Sequence, residues 1–168
     1  PDLFSRFATL LTISDWLIFC LSGERCTEPS AAADTQLFDI RQGAWSAELM
    51  STLALPAALF PPVQATGEVV GAVSPAAAAQ LGLAAATPVV MGGADTQMGL
   101  LGMGMTAPGE VGILAGWSMP VQQVTAAALD PRRRLWVGPH ALPGRWVPEG
   151  NAGPAGRAYA LSPIHISE

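Results

Sequence analysis

An aspartate set behind two glycines is the first place in this sequence where chemistry could be done. The segment Thr87–Gly104 reads TPVVMGGADTQMGLLGMG. A short valine-rich run, two glycines, an acid and a helix-compatible stretch form a recurrent way to present a carboxylate at the carboxyl edge of a sheet. Ligands of α/β folds collect at that edge. The glycines let a substrate approach the backbone, which side chains would prevent. From there Asp95 can accept a proton from a substrate hydroxyl as that oxygen attacks a phosphoryl group. A second role is open, because an aspartate at a helix start bonds the free amides there. On residue types alone the cap is the simpler role, and the two are not exclusive.

The second feature is PGEVGILAGWSMPV, Pro108–Val121. A strand into Gly116-Trp117-Ser118 and another strand out of it make a tight turn with free amides and one hydroxyl, a geometry that can hold phosphate oxygens. Taken alone, it is an ordinary hairpin. Other chemistries are disfavoured. The sequence has no GxxxxGK[ST] loop and no lysine at all, so a P-loop is excluded. GMGMTAPG has the wrong spacing for a dinucleotide fingerprint. His140 and His165 lie far apart with no cysteine cluster beside them, which argues against zinc, and His140 reads as structural. There is no GxSxG, and Ser118 has no evident base partner.

These residues need elements to hold them. Phe4, Phe7, Leu10, Leu11, Ser14, Leu17, Ile18 and Leu21 recur at helical steps, which predicts an amphipathic helix stopped at Gly23. Thr27–Ala33 is small and polar and reads as a loop or ligand-facing turn. Trp45–Leu53 is a second helix candidate, and Leu55–Pro62, with three prolines, an extended connector. Gly67–Val73 reads as a strand. Ser74-Pro75 starts a helix that Gly82 closes, with Leu83 as its apolar contact. Pro88–Met91 suits a buried strand, and Thr96–Met105 a small-residue helix. Glu110–Ala115 and Pro120–Val124 read as paired strands. The order predicts a mixed α/β fold without internal repeats.

Composition bounds the setting. Of the 168 residues, 50% are hydrophobic and 12% are charged, against about 25% charged in ordinary soluble domains. A chain this apolar is expected to cover part of its surface with other parts of a larger protein. The net charge of -5 disfavours nucleic acid and anionic membrane as partners; Arg132–Arg134, the one basic run, reads as a solvated turn. No stretch reaches the about 18 uncharged apolar residues of a spanning helix. Cys20 and Cys26 have no metal or redox spacing, which fits reduced thiols in a cytoplasmic protein. Neither terminus reads as natural, and Ser162–Glu168 breaks the composition before it and reads as a non-native tail.

Taken in order, the motifs resemble the FGGY family of carbohydrate kinases, which includes xylulokinase, gluconokinase and glycerol kinase. The resemblance runs from about Leu3 to Leu161. It begins with ISDWLIFCLSGERCTEPSAAADTQLFDIRQGAWS and continues through LFPPVQATGEVVGAVSPAAAAQLGL. TPVVMGGADTQMGLLGMG then stands where the family has G-G-x-D. GILAGWSMPV stands at the family's L-G-T-S turn, and GPHALPGRWVPEGNAG resembles the family's segment after that turn.

The resemblance implies an α/β, actin-like and ribonuclease H-like ATPase fold, present here in part. Residues 1–107 would be the end of the sugar-binding domain, 108–161 the beginning of the ATP-binding domain, and 162–168 the tail. It implies Asp95 as the base that deprotonates a sugar or polyol hydroxyl attacking the γ-phosphate of ATP with Mg2+. It places Thr96 beside the substrate, Gly116, Trp117 and Ser118 at the ATP phosphates, and Pro29 and Ser30 near a substrate-facing position. Trp117 replaces the usual threonine, so backbone amides must hold phosphate there. A homodimer of the full-length protein is a further expectation, as is inactivity of the segment alone. The alternative is a non-catalytic relative that binds sugar or nucleotide.

Overall fold

The computed structural model describes residues 6–128 and 134–153. Phe4, most of the Arg132–Arg134 run, the end of the family-like stretch and the expected tail lie outside them. The chain forms two compact units, Pro1–Gly93 and Ala94–Glu168.

In the first unit, helix α1 spans Ile13–Ser22, a shorter element than the periodicity from Phe4 predicts. The reason is local. Thr12 and Asp15 form a capping box that fixes the first turn, so Phe7, Leu10 and Leu11 precede the helix. Gly23 closes it at φ 85°, and its amide donates to the Phe19 carbonyl. Helix α2, Pro29–Asp34, corrects the expectation of a loop over Thr27–Ala33. Glu28 accepts from the amides of Ser30 and Ala31, Pro29 sets the first helical φ, and the alanines continue the turn.

A small hairpin that the sequence pattern does not foretell comes next, β1 at Phe38–Asp39 and β2 at Ala44–Trp45. The Asp39 carboxylate accepts from the amides of Arg41 and Gln42, and those bonds hold its carboxyl below the usual carboxylate range. Trp45 therefore lies in a strand, and helix α3 begins after it, Ala47–Thr52, capped by Ser46. The proline connector is not wholly extended, since Ala57–Leu59 makes a 3-10 turn.

Strand β3, Val69–Ala72, pairs antiparallel with β4, Pro88–Val90. Between them lies helix α4, Pro75–Leu81, begun by the Ser74 hydroxyl and ended by Gly82 in the left-handed conformation. The expectation of a wholly buried strand at Pro88–Met91 is corrected. Val89 and Met91 are buried, whereas Val90 is half exposed, because a lone antiparallel pair covers one face and leaves the other open. Ile18, Cys26, Val73, Ala77, Ala78, Val89 and Met91 form one core cluster of this unit, and Ala32, Ala33 and Phe38 another. Burial, with Asp15 and Glu24 nearby, pushes the Cys26 thiol up, which suits its role as a small hydrophobe.

The second unit opens with helix α5, Asp95–Gly102. Strands β5, Val111–Ile113, β6, Pro120–Gln123, β7, Trp136–Pro139, and β8, Trp146–Asn151, form an antiparallel sheet in the order β5-β6-β8-β7. Small residues set the approach of helix to sheet. A methyl group on Gly99 would stand 2.0 Å from Leu114 Cδ2, and one on Gly112 would stand 2.4 Å from Leu100 Cδ2. Each glycine thus accepts a leucine from the facing element, and Leu100 is fully buried.

His140 is structural, as expected. Leu142 donates its amide to Nδ1, so the proton sits on Nε2, which donates to the Met105 carbonyl. Burial holds its pKa below the ordinary value, against the Met105 bond and with a smaller push from Arg145.

Candidate functional site

The second unit contains a cleft of about 400 Å³ whose walls include Asp95 and Thr96 from the start of α5, residues 114–118, and Pro120. Five of the seven residues singled out from the sequence therefore line one opening. Gly92 and Gly93 end the first unit, and Ala94 alone separates them from Asp95 at the start of its helix.

Asp95 does not cap α5 in the ordinary way. The N-cap is Ala94, which has no capping side chain. The Asp95 carboxylate is exposed and accepts from the adjacent Thr96 amide at 2.8 Å. The simpler role suggested by residue type holds in part: the N-cap position belongs to Ala94, yet the Asp95 carboxylate, at the first helical position, bonds one free amide of the helix start, that of Thr96. A negative charge there is also favoured by the exposed amides of the helix start. The Thr96 hydroxyl donates to Gln97 Oε1 at 2.7 Å, which leaves its lone pairs able to accept.

The turn between β5 and β6 also lines this cleft. Leu114 donates to the Pro120 carbonyl and Gly116 to the Ser118 carbonyl, at 3.1 and 3.0 Å. The Gly116 amide is therefore spent inside the turn. The amides of Trp117 and Ser118 and the Ser118 hydroxyl donate to nothing among the described residues. Such a set of unspent donors in one turn suits an anion's oxygens. The indole of Trp117 is 73% exposed. Among the described residues, no cluster of acids, histidines or cysteines is arranged to hold a metal ion, and no helix is long and apolar enough to cross a membrane.

Pro29 and Ser30 lie in the first unit, on the first turn of α2. Ser30 is fully buried, and both its amide and its hydroxyl donate to Glu28 Oε2. Glu28 and Asp15 are buried acids that the sequence pattern did not single out. Both border a second cavity of about 200 Å³, together with Met91, Gly92 and Gly93. Asp15 Oδ2 accepts from the Thr12 amide, while its Oδ1 has no partner among the described residues. One signal was available for Asp15, the Thr-x-x-Asp spacing of a capping box. Glu28 stands before a proline, a helix start that a less common capping residue obscured.

A profile of the N-terminal domain of the FGGY family of carbohydrate kinases matches residues 1–102. The chain belongs to this family. It is similar to the autoinducer-2 kinases of Klebsiella pneumoniae, 42% identical over 146 residues, and of Escherichia coli O139:H28, 40% identical over 145 residues. Those alignments take in 86% and 85% of this chain but 27% of either relative, so the chain spans about a quarter of their length.

Among solved structures, xylulose kinase from Rhodospirillum rubrum superimposes with a TM-score of 0.84 at 31% identity, over 100% of this chain and 34% of that one. Plasmodium falciparum glycerol kinase gives a TM-score of 0.83 at 17% identity, over 96% and 34%; at that identity the likeness is one of fold. The fold is accordingly part of the actin-like, ribonuclease H-like ATPase fold of these sugar kinases, as the motif order implied.

Proposed function

We propose that this chain is the central segment of an ATP-dependent kinase that phosphorylates a hydroxyl of a sugar or polyol, with Asp95 as general base. The observation that carries the reading is the shared cleft. An accessible carboxylate and the unspent donors of a tight turn line the same opening. Phosphoryl transfer asks for little covalent help from a protein, mainly positioning and charge stabilisation around an in-line displacement.

In this reading Asp95 accepts the proton of the attacking hydroxyl, and Thr96 accepts a hydrogen bond from the same molecule. The amides of Trp117 and Ser118 and the Ser118 hydroxyl bind oxygens of the phosphate chain, while Gly116 shapes the turn. ATP, with Mg2+ carried on its phosphates, supplies the phosphoryl group. Ser30 acts through Glu28, which its amide and hydroxyl hold, and Pro29 by setting the start of that helix, rather than by direct contact.

The family's domain division falls after residue 107, with residues 108–161 beginning the ATP-binding domain. The protein works in the cytoplasm, as a homodimer when full length, without nucleic acid or membrane as a partner. Autoinducer-2 is the first acceptor to test, because the relatives at about 40% identity carry it in their names. The segment alone turns nothing over; ATP consumption by the purified 168 residues above a mock preparation would remove that part.

Asp95→Asn in the full-length protein tests the assignment. The expected result is a fall of about 10²- to 10⁴-fold in kcat with acceptor affinity kept. Unchanged turnover removes Asp95 from its role, and absence of phosphoryl transfer by the unaltered protein favours a non-catalytic sugar-binding relative.

A further inference from the structure

Trp117 is a residue of this cleft with no structural duty among the described residues. Its indole is 73% exposed, although it belongs to a turn that is otherwise closed by two backbone hydrogen bonds. Its ring makes no aromatic contact and its side chain no hydrogen bond among the described residues. Its place on the cleft that also holds Asp95, more than its exposure, marks it for ligand contact. The wall beside it is apolar too, with Leu114, Ala115 and Pro120.

Resting on the kinase reading above, we infer that Trp117 is the platform on which the carbon face of the acceptor stacks, and so a specificity-determining residue of this enzyme. Three physical points lead there. The face of an indole carries a negative quadrupole, so it repels a phosphate and accepts the weakly positive C–H face of a sugar or polyol. The polar groups of the same turn, the Trp117 and Ser118 amides and the Ser118 hydroxyl, already provide for an anion without the ring.

The third point concerns position. Trp117 lines the same cleft as Asp95, and the molecule whose hydroxyl Asp95 deprotonates must lie in that cleft. A nucleobase also stacks well on an indole. The base of ATP, however, stands a ribose and a triphosphate away from the transferred phosphorus, and hence away from Asp95. The carboxylate then orients the hydroxyls of the acceptor while the ring selects for a carbon chain long enough to cover it. Glycerol would cover little of it.

The test uses the full-length protein with autoinducer-2, D-xylulose, D-gluconate and glycerol as acceptors. In Trp117→Thr, the KM of the best multi-carbon acceptor should rise about five- to tenfold, the KM for ATP should not rise, since threonine adds a hydroxyl on the phosphate side, and the preference over glycerol should shrink. Trp117→Phe, which keeps a stacking face and loses the N–H, should recover most of the acceptor affinity. An unchanged acceptor KM in Trp117→Thr overturns the inference. So does a rise in the KM for ATP shared by both variants, which would make the indole N–H a phosphate donor.

If none of the four acceptors is phosphorylated, the kinase reading fails by itself. Calorimetric titration of the same acceptors then decides on Trp117, and equal Kd values for the unaltered protein and Trp117→Thr overturn it. Because the residue is exposed, thermal melting of the variant should match the unaltered protein, which separates lost contact from lost fold.

Discussion

Glu28 and Asp95 are both carboxylates at the first turn of a short helix, one in each compact unit, and their surroundings are opposite. Glu28 is 2% exposed. Its Oε2 accepts from the Ser30 and Ala31 amides and the Ser30 hydroxyl, and its Oε1 from the Thr66 hydroxyl. Asp95 is exposed, accepts from its neighbour's amide, and opens on a cleft. A buried charge must be fully hydrogen-bonded or it costs more than the fold can spare, so Glu28 is committed to structure. A carboxylate with lone pairs to spare and solvent access can take a proton from something else. Both are carboxylates at a helix start, Glu28 as the N-cap of α2 and Asp95 one position further in on α5; what differs most is the demand placed on the oxygens.

This contrast can be broken by substitution. The largest effect on folding is expected for Glu28→Ala, which strands two amides and two hydroxyls. A loss of about 3 kcal/mol is expected from leaving buried donors unsatisfied, or about 5–10 °C in melting temperature. Asp95→Asn, in contrast, should leave melting nearly unchanged while lowering the turnover of the full-length protein by about 10²- to 10⁴-fold. If the two variants melt alike, the division of roles between the units is wrong.

A smaller effect sharpens the picture of the second unit. His140 has its pKa held down mainly by burial, so the unfolded chain binds its proton more readily than the folded one. Its stabilising contribution is complete above its ordinary value of about 6.5 and declines as the pH falls below that. Denaturant midpoints should therefore drop between about pH 7 and about pH 5, and His140→Gln should flatten that slope. Asp39 and Glu110, both held down by backbone hydrogen bonds, lose their contributions only in the more acidic carboxylate window, so the two regimes separate. An unchanged slope in His140→Gln assigns the pH dependence elsewhere.

The features legible in advance were those set by neighbours in sequence. Ser74-Pro75 and Gly82 bounded α4 because a capping hydroxyl, a fixed φ and a left-handed glycine act within one turn. The β5–β6 hairpin and its Gly116–Ser118 turn were read from two apolar runs around a glycine. The ordered motifs also carried the family and, with it, the fold.

What stayed hidden depends on partners far along the chain. Strand β8 is held between β6 and β7, and its glycine- and proline-containing sequence has no period that announces it. Glu28 is buried under Thr66, 38 residues on, and His140 reaches Met105, 35 residues back. Even the Gly116 amide, counted from sequence as a phosphate donor, is spent on Ser118 once the turn closes.

The sequence by itself determined where helices start and stop, which family the motifs belong to and which acid to suspect. Only the tertiary structure decided which carboxylate is enclosed and which is open, and that Trp117 is left bare beside Asp95. Caps and turns are local energies that any short segment expresses, whereas burial is a property of the packed chain.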